Sequence, residues 1–247
     1  MNVFATTGRP VILLWRTITA VRRRGISWHE VLVQLNEMGN RSSWLVASGL
    51  AFFGTVMVTI AYAQARKYTG NITLVGPAYF QLLLRELGPL TGSLLLASRA
   101  AAGTSAELAS MSVNEQLEAL QLSAADPLAE LVAPRIIASL IAAPALICIG
   151  TVTATLAAVT TVNVAFHADG STFMDASFVT GADVLCAFTK AAVCGLFIPL
   201  AAASRGLEAQ GGASAVGEAV TAGVVDACMG VLILDFLIAL AFMLAGY

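Results

Sequence analysis

Charge is what this chain has least of. Only 11% of its 247 residues are Asp, Glu, Lys or Arg, against about 25% in a typical soluble domain. Apolar residues make up 58%, and the mean hydropathy is +0.83. So little polar surface could not cover a core of that size in water, so lipid serves as solvent for much of the chain. Histidine is nearly missing. His29 and His167 each stand alone, with no His-Glu-x-x-His or Asp-rich pattern, which argues against a metal site and metal-based chemistry. No nucleophile–base pair or paired-carboxylate motif falls inside an apolar run, so the chain reads as no enzyme. A Gly-rich phosphate loop ending in Lys-Ser or Lys-Thr is also lacking, which excludes an ATPase and leaves no cofactor bound by this chain. Cys148, Cys186, Cys194 and Cys228 all lie in apolar runs without ligand spacing, and read as small packing residues. Nothing points to nucleic acid.

What is present is a series of long apolar stretches, at about 42–65, 80–106, 136–166, 184–204 and 219–246. Each is long enough to cross roughly 30 Å of hydrocarbon. The expected class is therefore an all-α membrane protein with five transmembrane helices, occupying residues 42–247. Alanine and glycine are frequent in the spans, as at Ala100 to Gly103 and Ala201 to Ala203, which lets helices approach closely. Pro144 predicts a kink in the third span. Ala61-Tyr62-Ala63 resembles a signal cleavage site, but the basic region before it is too long and four more apolar runs follow.

Residues 1–41 form a basic amphipathic segment. Arg9, Arg16, Arg22, Arg23, Arg24 and Arg41 precede the first span, against only Glu30 and Glu37. Val11, Leu14, Trp15, Ile18 and Val21 share one helical face. Ser27 and Glu30 form a capping box that opens a helix carrying Val31, Leu32, Leu35 and Met38 on one side. Such a segment lies in the headgroup plane against anionic lipid, the alternative being an ordinary cytosolic amphipathic helix. The arginines place the N-terminus in the cytoplasm. Five spans then put 66–86 and 167–183 outside, 107–135 and 205–218 inside, and the C-terminus outside. Arg66 and Lys67 run against that orientation without reversing it.

The polar island from Glu107 to Pro134 reads as a helix–turn–helix between spans two and three. Ser112 and Glu115 form a capping-box pattern that predicts a short helix starting at Val113, with Leu117, Leu120 and Leu128 on its apolar side and Glu115 and Glu118 outward. Asp126-Pro127 caps a second helix, with Pro127 at its first position. A capped acidic helix held between two spans is a handle for a partner.

Counting the second span from residue 87, past its polar entry at Arg85-Glu86, four charges lie inside spans, and each should face protein, water or a counter-charge. Counting depth at ~1.5 Å per residue predicts two contacts, Arg99 with Asp226 and Lys190 with Asp235.

Several stretches together resemble the MlaE/YrbE family, the permease subunits of ABC transporters that work with MCE proteins on lipids. RELGPL at 85–90 is followed by Arg99, then AEL at 106–108, Met111, EQLEAL at 115–120, Asp126-Pro127 and Pro134-Arg135. A second match is Lys190 with Gly195, Arg205-Gly206, Gly211-Gly212-Ala213, Val216-Gly217 and Leu234-Asp235-Phe236. A third is Gln34, Met38-Gly39, Phe53-Gly54 and Gln64. Order and spacing agree from about Ser27 onward. Ser98, Ala109 and Ala124-Ala125 stand where the family usually has glycine or a glycine-containing turn, while residues 1–26 carry no family motif.

The resemblance implies a five-span permease preceded by an interfacial helix and paired with a second permease copy, identical or not. A cytoplasmic ABC ATPase dimer, holding the ATP and Mg, would grip the coupling segment 107–135. Its expected contacts are Glu107, Met111, Glu115, Gln116, Glu118 and Leu120. An MCE-domain lipid-binding protein would dock outside. The cargo would be phospholipid or another lipid of the bacterial inner membrane, with Tyr79, Phe80 and Leu83 expected along the lipid path or, alternatively, in an aromatic belt. Arg99, Lys190, Asp226 and Asp235 would lock the spans together or face the cavity. Two other classes stand against this: an ion or small-solute channel lined by Lys190, Asp226 and Asp235, and a membrane-embedded enzyme.

Overall fold

A computed structural model describes residues 3–68, 75–166 and 177–246. Most of the expected outer loop at 167–183, including His167, lies outside the described residues, as does 69–74 of the loop before it. All regular structure among the described residues is helical.

Helix α1, Val3–Arg24, ends where Gly25 takes φ +82° and its N–H returns to the Val21 carbonyl at 2.8 Å. That left-handed cap suits glycine, which has no Cβ to clash. Val11, Trp15 and Ile18 lie exposed on α1. Helix α2, Trp28–Leu35, begins as its capping signal predicts, with the Ser27 hydroxyl accepting from the Glu30 N–H at 3.5 Å. A wide π-type turn, Asn36–Asn40, carries it into α3, Arg41–Tyr68. Helix α4, Val75–Leu82, meets a second wide turn, Leu83–Leu87, before α5, Gly88–Val113. The short α6, Gln116–Leu122, and a third wide turn, Leu128–Val132, lead into α7, Ala133–Phe166, which continues through Pro144. Helices α8, Gly181–Gly206, and α9, Ala213–Leu244, complete the bundle.

Among the described residues, four stretches are long and apolar enough to cross a membrane: α2–α3, α7 with its preceding turn, α8 and α9. Helix α5 is not among them, although it sits at the centre, packed on α9, α8, α3 and α7. Its neighbours explain the difference. Gly92, Ser93, Thr104 and Ser105 on α5 are buried against protein, so lipid does not demand that they be apolar. Small residues set the crossings. A Cβ on Gly54 would stand 2.9 Å from the Ala154 carbonyl oxygen, and one on Gly195 2.7 Å from that of Ser139. Lipid-facing side chains such as Phe52, Val152, Leu156 and Phe236 remain exposed around the bundle.

The polar island departs from its expected start. Helix α5 runs on to Val113, and Ser112 does not cap a new helix. Its hydroxyl instead donates to the Ala209 carbonyl at 2.9 Å, beyond the end of α8. The short helix begins three residues later, at Gln116, after Glu115 adopts the left-handed φ of +60°. Asp126 behaves as expected: its carboxylate accepts from the Leu128 N–H at 3.0 Å.

Candidate functional site: an intramembrane charge cluster and an exposed short helix

The wide turn 83–87 brings Glu86 beside α8, where Lys190 projects from mid-helix. Its Nζ lies 2.5 Å from Glu86 Oε2 and 3.1 Å from Asp235 Oδ1. The lysine side chain is fully buried, Asp235 is 9% exposed and Glu86 32%. One ammonium thus holds two carboxylates, from three separate parts of the chain. A lone charge here would cost several kcal/mol (order of magnitude), whereas a compensated cluster fixes the register of its helices. The Lys190–Asp235 contact follows from depth, as the sequence predicts. Glu86 does not, because it stands at the edge of the second apolar run and counts there as loop. RELGPL carried the available signal.

The second expected pair is not formed. Asp226 meets Arg205 at 2.5 Å, and Arg99 donates to the Ser42 hydroxyl at 3.0 Å. Helix α9 starts at Ala213, more than three turns before Asp226, which sets that carboxylate level with the end of α8. Arg205, assigned from the sequence to a loop boundary, is there to receive it.

A separate cluster ties α4 and the 83–87 turn to the start of α8. Arg85 Nη1 lies 3.0 Å from Asp183 Oδ1, and Gln81 donates to the other carboxylate oxygen at 3.3 Å. Thr180 and Asp183 form a full capping box at the start of α8. The aspartate therefore serves both the helix N-terminus and the guanidinium.

On the lipid-path candidates, Tyr79 and Leu83 are buried in the core, and the Tyr79 hydroxyl donates to the Gly54 carbonyl at 3.3 Å. Phe80 is half-buried and so keeps open surface. Among the coupling candidates, Glu115, Gln116 and Glu118 are exposed, Met111 and Leu120 are half-buried, and Leu117 fastens α6 to the bundle. Glu107 differs from these: it pairs at 2.7 Å with Arg135, which is 2% exposed, and so braces α5 against α7. No group of His, Cys, Asp or Glu among the described residues could hold a metal.

The family model described as Permease MlaE matches residues 31–241. The chain belongs to the MlaE permease family. Relatives of this MlaE permease family chain include a probable ABC transporter permease of Rickettsia typhi, 30% identical over 84% of this chain and 81% of the relative. The intermembrane phospholipid transport system permease protein MlaE of Haemophilus influenzae is 29% identical over 96% of this chain and 92% of its own length. A chloroplastic Arabidopsis thaliana protein, TRIGALACTOSYLDIACYLGLYCEROL 1, is 29% identical over 92% of this chain and 65% of its own. MlaE family membership makes this chain a membrane-embedded transporter subunit and not a catalytic enzyme.

Proposed function

We propose that this chain is the permease of an ATP-driven transporter that exchanges phospholipid, or another membrane lipid, between the bacterial inner membrane and an MCE-domain partner. The observation that carries the reading is α6. It is a short helix held on the bundle by Leu117, with Glu115 and Glu118 turned to solvent between two long helices. Such an element transmits force when a partner grips it. The partner is a cytoplasmic ATPase dimer that holds ATP and Mg; a second permease copy completes the membrane part. Phospholipid as cargo rests on likeness to the Haemophilus influenzae permease along nearly the whole chain.

In this reading α5 is the fifth crossing, shielded from lipid by its neighbours. The N-terminus is cytoplasmic, as the arginines before α3 favour, and the C-terminus is outside. Lipid passes the α4 segment, with Phe80 bordering the path and Tyr79 and Leu83 backing it. The charge cluster on Lys190 locks α8, α9 and the 83–87 turn around that path. Lys190 is fully buried between two carboxylates, which favours such a lock over the lining of an ion channel. The test is ATP hydrolysis by the purified complex of permease and ATPase. Phospholipid vesicles are expected to stimulate it; hydrolysis indifferent to lipid contradicts the assignment.

A further inference from the structure

Helix α1 presents three different faces. Pro10, Thr17 and Ala20 are buried against the bundle, and Val11, Trp15 and Ile18 are exposed as a lipid-facing side. The third side carries Arg9, Arg16 and Arg23, seven residues apart, with Thr19 beside them. On a 3.6-residue helix this stripe lies about a third of a turn from the lipid-facing side. It borders a cleft of about 770 Å³, whose far wall is Leu117 and Gln121 of α6 and whose end is closed by Glu208.

The charges in this cleft do not balance. Arg9 is taken by Glu208 at 2.8 Å, and the Asp126 carboxylate caps the turn at Leu128. The side chains of Arg16 and Arg23 form no ion pair among the described residues. Two unpaired guanidinium groups, about 10 Å apart along the helix, therefore face a cleft of mixed polar and apolar lining beside α6. An acidic headgroup in the leaflet would meet α1 from its other side. A cytoplasmic protein seated on α6 would meet the cleft directly.

We propose that the cleft between α1 and α6 is a second docking site for the cytoplasmic ATPase, taking an acidic segment whose carboxylates pair with Arg16 and Arg23. This rests on the reading of α6 as the ATPase handle. The α1 contact would fix the ATPase from the side, so that its motion moves α1 and α6 together. Guanidinium groups suit the task because each offers a planar, bidentate match to a carboxylate.

The test uses the complex recovered through a tag on the permease. Charge reversal by Arg16→Glu with Arg23→Glu is expected to lower ATPase recovery about tenfold, the scale of two partly screened ion pairs. The double lysine variant should keep most of it at low salt and lose it sooner as salt rises. Size-exclusion profiles establish that the variants are folded. A photocrosslinking residue in place of Thr19, in a chain otherwise unchanged, should capture the ATPase. Capture of lipid alone would make the membrane the occupant and overturn the proposal. Unchanged ATPase recovery in the reversal variant overturns it too. Glu118→Lys separates the two readings: if it detaches the ATPase and arginine reversal does not, only the second site falls, and if neither does, both fall.

Discussion

At the scale of the residue, the bundle depends on charges and glycines that have no alternative place to go. Lys190 is fully buried with Glu86 and Asp235 as its partners. Lys190→Met leaves two carboxylates facing each other without a cation, and is expected to cost about 3–5 kcal/mol. Thermal unfolding in detergent measures it. The triple neutral variant, with Glu86→Gln and Asp235→Asn added, should recover most of the loss, because an apolar or neutral cluster needs no counter-charge. A single variant that melts with the native chain would show that the lock is absent. Gly195 carries a steric version of the same argument. Its Cβ position is 2.7 Å from a backbone oxygen of Ser139, which cannot rotate away. Gly195→Val should therefore destabilise by about 1–3 kcal/mol. Gly103 has no atom within 4 Å of its Cβ position, so Gly103→Ala should be neutral or slightly stabilising in the same melt.

At the scale of the element, the proposed coupling to an ATPase rests on α6. Glu115 sits at φ +60°, where glycine is at ease and a glutamate is strained by roughly 1–2 kcal/mol. Glu115→Gly should leave α6 in place, or firmer, while removing one outward charge. Adding Glu118→Lys should then uncouple ATP hydrolysis from lipid without unfolding α6. Helical circular dichroism and lipid-stimulated ATPase rate, read together, check it; a normal rate with both acids gone contradicts coupling through these side chains. Local signals were the legible ones here. Ser27 and Asp126 cap where their neighbours in sequence indicate. Ser112 carried the same local pattern but spends its hydroxyl on Ala209, nearly a hundred residues away, and no window along the chain could register that. Charge pairing divides in the same way. Lys190 and Asp235 are both well inside apolar runs, so depth alone joins them. Arg205 and Asp226 meet because α9 begins turns earlier than its apolar stretch, and polar first turns hide that start.

At the scale of the whole molecule, the helix class and the membrane setting were legible because composition and run length report them directly. The place of α5 was less so. Hydropathy measures what lipid would accept, and α5 is surrounded by α3, α7, α8 and α9, so packing decides its composition instead. The wide turns at 36–40, 83–87 and 128–132 have no simple sequence signature. One of them aims Glu86 at Lys190. The central claim is that this bundle moves lipid when a partner hydrolyses ATP. The most direct measurement reconstitutes the chain with its ATPase in vesicles containing a fluorescent phospholipid, and follows transfer to the outer lipid-binding partner. Transfer is expected to require Mg and hydrolysable ATP and to be abolished by Glu115→Gly with Glu118→Lys. Ion flux through the vesicles with no lipid moved, with or without ATP, would contradict it.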